Sequence, residues 1–536
     1  MISWSRVRDG LGASPALVML LLLPLLAVLP PVPIDETRYL SVAWEMRQGG
    51  DWVTLHLNGL PYFDKPPLLF WLLNLCWSVL GVSLWSARAL MLLCGAGCVA
   101  LCQRIERRLS PEASGEAAWL LLGILFFTLF SSVVMFDILL CLCVLLGFLA
   151  VVESTQTGGR RALLMLFVAS ALGVLAKGPV IFLHLAAPML AARWWHGGVP
   201  PLPWRRVGAM LLVVLLGGLP ALLWAWAAVH DLSAQDASNL LLRQTTGRVV
   251  ESFAHNRPFW WYLPWLPVLV LPWPVLARWR RLGSAFATWR QSRAVRFGAT
   301  ASIPTLVAFC LVSGKQLHYL LPLLPGVAIV FGAWVRQDPA LLSMRRWWVL
   351  VVLWLGLLLW AMVGTEPVGR GHMQHSVATW LYLLSGVLIV AAVLYMLRSR
   401  QPRVERRTAL GTLLLVMALL PLIHLQALGA LDLAVIAQKV SGLQVRGVPV
   451  ARTGNDPGLV TFLARLPEPL TEVADPAQWA RQNPDGVLLV YSGRGVAPAG
   501  ASDTVRLANG WAGLMSSQAV LADPGEDALV PRPRQP

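Results

Sequence analysis

Charge is scarce in this 536-residue chain: 13% of residues are Asp, Glu, Lys or Arg, against 57% hydrophobic. With a mean hydropathy of +0.64, that excludes an ordinary soluble domain and points to a polytopic membrane protein. Acidic residues are scarcer than basic ones, 27 against 43, an imbalance that needs a cause. Cysteine is sparse too. All seven (Cys76, Cys94, Cys98, Cys102, Cys141, Cys143, Cys310) lie in or beside apolar segments. Cys94, Cys98 and Cys102 share one helix face but lack His or acidic company, so they read as small packing residues and not as a metal site. No disulfide framework, internal repeat or Gly-rich nucleotide loop stands out.

Apolar runs are what the chain has in quantity. Stretches of about 17–20 such residues, the length needed to cross a bilayer, recur from end to end. The first, 13–33, follows Arg6 and Arg8. It is too long for a signal peptide and no small-residue cleavage site follows, so a retained anchor is expected. Further spans are expected at 84–103, 117–134, 138–152, 162–176, 179–195, 207–229, 259–277, 295–312, 319–335, 347–363, 377–397 and 409–430. That makes about thirteen spans. The run 68–80 is short, starts at Pro66-Pro67 and contains Asn74; it reads as a helix lying at the interface.

The arginines support this division. Arg104, Arg107, Arg108, Arg160, Arg161, Arg193, Arg205, Arg206, Arg278, Arg280, Arg281, Arg345, Arg346 and the cluster from Arg398 to Arg407 all fall in one set of connections. The positive-inside rule makes that side cytoplasmic. Counting 68–80 as a span would break the agreement. The net charge of +16 is therefore mostly a topology signal, spread over too many short loops for a nucleic-acid surface. Beyond residue 430 the composition turns to Gly, Pro and mixed charge. Strands are expected at 445–451 and 486–491, helices at 459–466 and 476–482, and disorder from 523. The fold class expected is an all-α polytopic membrane protein, residues 1–430, with a small α/β domain, residues 431–536, on the non-cytoplasmic side.

On this topology most of the remaining polar residues gather on the outer face, in loops 34–83 and 230–258 and in three shorter connections. They include Asp35, Arg38, Tyr39, Asp64 and Lys65 from the first loop, Asp137, Lys177, His255 and Arg257, and Lys315, His318 and Tyr319. Ionisable groups beside a membrane span are costly unless they serve a purpose. Each also has a plainer reading: Asp137 as a helix cap, Lys177 snorkelling to the headgroups, Trp260, Trp261 and Tyr262 as an aromatic belt. Collected on one face, carboxylates beside several cations suit transfer of a group from a phosphorylated lipid. A carboxylate can activate or orient the acceptor, and cations can neutralise the leaving phosphate.

Six short motifs occur in order: Asp-Glu-Thr-Arg-Tyr at 35–39, Gly-Asp-Trp at 50–52, Tyr-Phe-Asp-Lys-Pro-Pro at 62–67, Ala-Lys-Gly-Pro at 176–179, Pro-Phe-Trp-Trp-Tyr at 258–262, and Gly-Lys at 314–315 ahead of Tyr-Leu-Leu-Pro at 319–322. Together, over roughly residues 14–430, they resemble the lipid A aminoarabinose transferases and the broader bacterial dolichyl-phosphate-mannose–protein mannosyltransferase-like family. The resemblance implies a C-type glycosyltransferase fold of thirteen spans, a polyprenyl-phosphate-linked sugar as donor, and inversion at the anomeric carbon. It places Asp35 at the family's key acidic position and Asp137, Lys177 and Tyr319 at site positions. It also implies a divalent metal (zinc, magnesium or manganese) held by Asp64 and His255, although Asp64 stands where the aminoarabinose transferases have Glu. The function expected is transfer of a sugar, such as 4-amino-4-deoxy-L-arabinose, to lipid A or another outer-facing acceptor. Asp35 and Asp137 are the expected catalytic acids. Arg38, Tyr39, Lys65, Lys177, Arg257, Lys315, His318 and Tyr319 are the expected substrate- and phosphate-binding residues. The alternatives are a protein O-glycosyl(mannosyl)transferase of the same fold, a transporter or flippase, and a non-catalytic scaffold. A transporter would show paired broken helices and midplane charges in two related halves.

Overall fold

The computed structural model describes residues 14–27, 29, 31–32, 34–198, 201–230, 257–287, 291–352, 356, 375–398, 403–422, 433–454, 456–492, 500–507 and 510–522. The protein is mainly helical, with a small sheet near its C-terminus. Five described helices are long and apolar enough to cross a membrane: Leu84–Leu109, Phe136–Gln156, Trp204–His230, Arg293–Leu311 and Leu317–Gln337. Shorter apolar helices include Pro15–Ala27, Val180–Leu190 and Leu383–Arg398. The expected spans 347–363 and 409–430 fall partly outside the described residues.

Two expected spans are interrupted. The 117–134 segment is two helices, Glu116–Gly123 and Leu125–Phe130, with Ile124 extended between them. The 259–277 segment is short turns at Leu263–Trp265, Leu266–Leu269 and Trp273–Leu276, because Pro264, Pro267, Pro272 and Pro274 leave no room for a continuous i→i−4 ladder. The two breaks satisfy each other. Leu125 donates its backbone N–H to the Leu271 carbonyl at 3.0 Å, and the Trp273 indole donates to the Leu120 carbonyl at 2.9 Å. Irregular backbone at membrane depth needs such internal partners. Gly123 makes room, since a Cβ there would lie 2.4 Å from the Trp273 ring.

The segment between the first apolar helix and Leu84–Leu109 is ordered by short-range chemistry. Asp35–Gly49 is a helix with Asp35 and Glu36 in its first turn, Arg47 in its last, and Gly50 closing it at φ 69°. Acid first and base last complement the helix dipole, and a left-handed glycine is the usual stop. Next comes a two-stranded hairpin, β1 His56–Leu57 and β2 Leu60–Pro61. Asn58 and Gly59 turn it at φ 56° and 75°, the Asn-Gly pattern that such turns demand. Glu45 of the helix accepts both turn N–H groups, at 2.6 and 3.0 Å. The helix Leu68–Leu80 starts directly after Pro67 and spans 13 residues. At 1.5 Å per residue it is about 20 Å long, short of the ~30 Å hydrocarbon core.

The C-terminal sheet has the order β4-β3-β5-β7-β6, from β3 Val450–Arg452, β4 Thr471–Glu472, β5 Val487–Ser492, β6 Ser502–Leu507 and β7 Gly510–Ser516. The first pairs are parallel and the last two antiparallel. The helix Pro476–Gln482 stands as expected, behind an Asp475 cap. Two expectations need correction. Val445 ends a helix, Ala434–Val445, and the strand begins only after Gly447 turns at φ 72°. Residues 459–466 form turns instead of a regular helix, with Arg465 at φ 53°. Phe462 of that segment packs into the helical core.

Candidate active site

Asp35 and Asp137 come from different elements that one buried ion pair holds together. Glu36, next to Asp35, meets Arg88 of the helix Leu84–Leu109 through both oxygens, at 2.9 and 2.6 Å. Both side chains are fully buried. Arg88 also donates to the carbonyls of Leu26 and Leu29 at 3.0 and 2.5 Å. Glu36 in turn accepts from the backbone of Val32 at 2.8 Å and of Val134 at 2.9 Å. Every oxygen and most donors are used, which is what a buried charge pair requires. The pair thereby ties the first apolar helix, the Asp35 helix and the chain just ahead of Asp137. Neither residue stood out in the sequence, where Glu36 was one letter of a motif and Arg88 a lone charge in an apolar run.

Asp137 is in the first turn of Phe136–Gln156 and is almost fully buried. Its Oδ1 lies 2.5 Å from Nζ of Lys177, at the end of the helix Arg160–Lys177. Its Oδ2 lies 3.9 Å from Nε2 of His318. The Lys177 ammonium also sits 4.6 Å from the centre of the Tyr319 ring, a favourable face for a cation. His318 meets the Tyr319 ring edge-on at 4.9 Å. Tyr39, buried one turn after Asp35, donates from its hydroxyl to Asp35 Oδ1 over 3.4 Å and packs edge-to-face on Phe136, at 4.8 Å. Burial, and after it the Asp35 carboxylate, push the Tyr39 hydroxyl well above its usual range. It therefore stays protonated and acts as a donor. Tyr39 also feels Tyr62, Asp137 and Arg38, and His318 feels Asp137, Lys177, Asp35 and Lys65.

The structure thus brings Asp35 together with Tyr39, and Asp137 together with Lys177, His318 and Tyr319, the two groups meeting where Tyr39 packs on Phe136 next to Asp137; Arg38 precedes Tyr39 on the same helix, and Lys65 bears electrostatically on His318. Asp35, Arg38 and Lys65 remain partly exposed, so the centre of the cluster is buried and its acid and two of its cations are accessible. Lys315 is used differently from a free phosphate ligand. It is buried, and its ammonium meets the carbonyls of Arg257, at 3.0 Å, and Val312. Arg257 donates its backbone N–H to Ser313 at 3.0 Å and places its guanidinium 5.7 Å from the Trp261 ring. Lys315 therefore fastens the chain at Arg257 to the turn just ahead of the helix Leu317–Gln337.

Of the two residues expected to hold a metal, Asp64 is half-buried and His255 lies outside the described residues. Among the described residues no group of three or more His, Cys, Asp or Glu side chains is placed to hold an ion.

Known proteins resemble this chain in sequence and in fold. Residues 64–224 match the family described as dolichyl-phosphate-mannose-protein mannosyltransferase. The undecaprenyl phosphate-alpha-4-amino-4-deoxy-L-arabinose arabinosyl transferase of Pseudomonas aeruginosa is 33% identical over 310 residues, 56% of this chain and 54% of the relative. The chain spans about half the length of the first curated relatives it matches. A second such transferase, from Pseudomonas fluorescens, is 29% identical over 79% of this chain and 77% of its own. In three dimensions the crystal structure of ArnT from Cupriavidus metallidurans bound to undecaprenyl phosphate superposes with a TM-score of 0.72 at 20% identity. That match covers 95% of this chain and 98% of the other, so the likeness of fold runs through the C-terminal sheet. In sequence the chain is similar to these undecaprenyl phosphate aminoarabinose transferases, and in fold it is similar to ArnT.

Proposed function

We propose that this protein is an inverting membrane glycosyltransferase that moves a sugar of the 4-amino-4-deoxy-L-arabinose class from undecaprenyl phosphate to lipid A at the periplasmic face of the inner membrane. The observation that carries this reading is the convergence of Asp35, Arg38, Lys65 and the Asp137–Lys177–Tyr319 group on one site. The fold match to a transferase solved with undecaprenyl phosphate supports the donor.

In this reading the acceptor hydroxyl oxygen attacks the anomeric carbon as the bond from that carbon to the phosphate oxygen breaks. The proton passes to Asp35, the accessible carboxylate, whose orientation Tyr39 holds. The electron pair leaves with the polyprenyl phosphate. Arg38, Lys65 and Lys177 stabilise the charge that collects there. Asp137 has its carboxylate engaged by Lys177, so its role is to aim that ammonium and not to take the proton. The lipid carrier keeps its chain in the bilayer, which suits a site built at the helix ends.

Purified protein in liposomes, given undecaprenyl phosphate aminoarabinose and lipid A, should yield modified lipid A by mass spectrometry. The Asp35→Asn protein should yield almost none. Transfer from a soluble nucleotide sugar, with none from the lipid-linked donor, would overturn the reading. The mannosyltransferase family match at 64–224 favours one alternative, a protein acceptor. Glycosylated peptide in place of modified lipid A would establish it.

A further inference from the structure

The helix Asp35–Gly49 has two long faces, and the site uses only one of them. Tyr39 turns toward Phe136 and the membrane domain. Ser41 and Trp44 turn the other way, onto residues 456–466, which lie between β3 and β4. Ser41 Oγ donates to the Gly458 carbonyl at 2.9 Å and accepts from the Phe462 N–H at 3.2 Å. The Trp44 indole donates to the Leu466 carbonyl at 2.7 Å. Asn58, in the hairpin turn, donates to the Asp456 carbonyl at 2.7 Å and accepts from the Thr461 hydroxyl at 3.2 Å. Phe462 stacks on Trp77 of the helix Leu68–Leu80, with ring centres 5.2 Å apart and planes within 8°. Arg465 covers both Phe462, at 3.7 Å, and Trp44, at 5.6 Å. All three elements between the first apolar helix and Leu84–Leu109 are gripped by one segment some 400 residues further along the chain.

Gly458 marks the closest approach. A Cβ there would stand 3.3 Å from the Arg38 Cα, 3.3 Å from the Ser41 Cβ and 2.7 Å from the Leu57 side chain, and its φ is +81°. Only glycine lets the backbone come so near the turn that carries Arg38. The carboxylate of Asp456 fixes the approach by accepting from the backbones of Gly458 and Leu459, both at 2.9 Å.

We infer that residues 456–466 are positioning residues of the active site: the C-terminal domain is a strap that presses the Asp35 helix onto the membrane domain and so sets where Asp35 and Arg38 stand. The function of the strap rests on the reading of that helix as part of the donor site. Its mechanical part does not. A helix of this length has little stability of its own in water. Its dynamics should therefore report directly on what clasps it.

Hydrogen–deuterium exchange on the full-length protein in detergent tests the strap. Phe462→Ala, the milder Ser41→Ala and Gly458→Val should each raise amide exchange across 35–49, by tenfold or more for Phe462→Ala. They should also weaken binding of undecaprenyl phosphate, read from tryptophan fluorescence, by roughly tenfold. Phe462→Tyr, which keeps the stacked ring, should restore both. Trp479→Ala loosens the opposite face of the sheet, where Trp479 packs beside Leu488 and Met515, and should change neither. Unchanged exchange across 35–49, or raised exchange with undecaprenyl phosphate affinity intact, would overturn the inference. So would an equal effect from Trp479→Ala. If the unmodified protein bound no undecaprenyl phosphate, the donor reading would fail, while the exchange data would still decide whether 456–466 holds the helix.

Discussion

Arg88 and Glu36 face each other at 2.6 Å with no water-accessible surface on either side chain, one residue from the carboxylate at the centre of the proposed chemistry. Removing one partner strands the other charge in the protein interior, at a cost of about 3–5 kcal/mol. Arg88→Met and Glu36→Gln should each lower the thermal unfolding midpoint and abolish transfer. The double variant Glu36→Leu/Arg88→Met should recover much of the stability, giving a clear coupling in a double-mutant cycle, yet stay inactive because Val32 and Val134 lose their acceptor. An active double variant would show that the pair does not set the site.

Asp35→Asn keeps the shape of the side chain and removes its charge. Positioned general bases contribute roughly 10²–10⁴-fold in rate, so kcat should fall by that order with expression and unfolding temperature unchanged. Tyr39→Phe should cost less, since the 3.4 Å hydrogen bond it removes is long. Near-normal turnover by Asp35→Asn protein would exclude Asp35 as the base.

The Asp137–Lys177 pair predicts unequal effects. Lys177→Met removes a proposed ligand of the leaving phosphate, and a charge-assisted hydrogen bond is worth about 1.5–3 kcal/mol. Undecaprenyl phosphate affinity should drop by roughly tenfold or more. Asp137→Asn leaves the cation present but loosely aimed, so it should lower kcat more than affinity. If Asp137→Asn proved harmless while Lys177→Met did not, the ammonium would be held by Tyr319 and the phosphate alone.

Topology is open to a direct test. With basic loops on the cytoplasmic side, reporters fused at Pro402 and at Pro449 should report opposite compartments, Pro449 the periplasm. The same compartment for both would disperse the proposed site.

Much of this arrangement was legible in the sequence, for physical reasons. Long apolar runs announce helices in lipid because nothing else satisfies the backbone there. The carboxylates and lysines at the ends of apolar runs were conspicuous because charge near a membrane is expensive. Which carboxylate was engaged was hidden, since Asp137 meets Lys177 only after two helices pack together. Arg88 was hidden for the same reason: its partner lies 52 residues away and the pair is invisible until folded. The strand pair β6–β7 and the absence of a helix at 459–466 also escaped. Short strands carry a weak pattern, and that segment takes its conformation from Ser41, Trp44 and Asn58 instead of from its own propensity.

The mutual hydrogen bond between the two broken segments, Leu125 to Leu271, has a consequence for how the chain is made. Until residue 271 has been synthesised and has entered the bilayer, the amide of Leu125 lacks the acceptor it ends with. A nascent chain of about 200 residues would therefore carry an unfinished helix, which lipid alone cannot complete. The first half of the protein should stay open to membrane chaperones and proteases until the second half arrives. Truncated products ending before the 266–276 turns should be degraded even though the residues proposed for catalysis up to Lys177 are already in place.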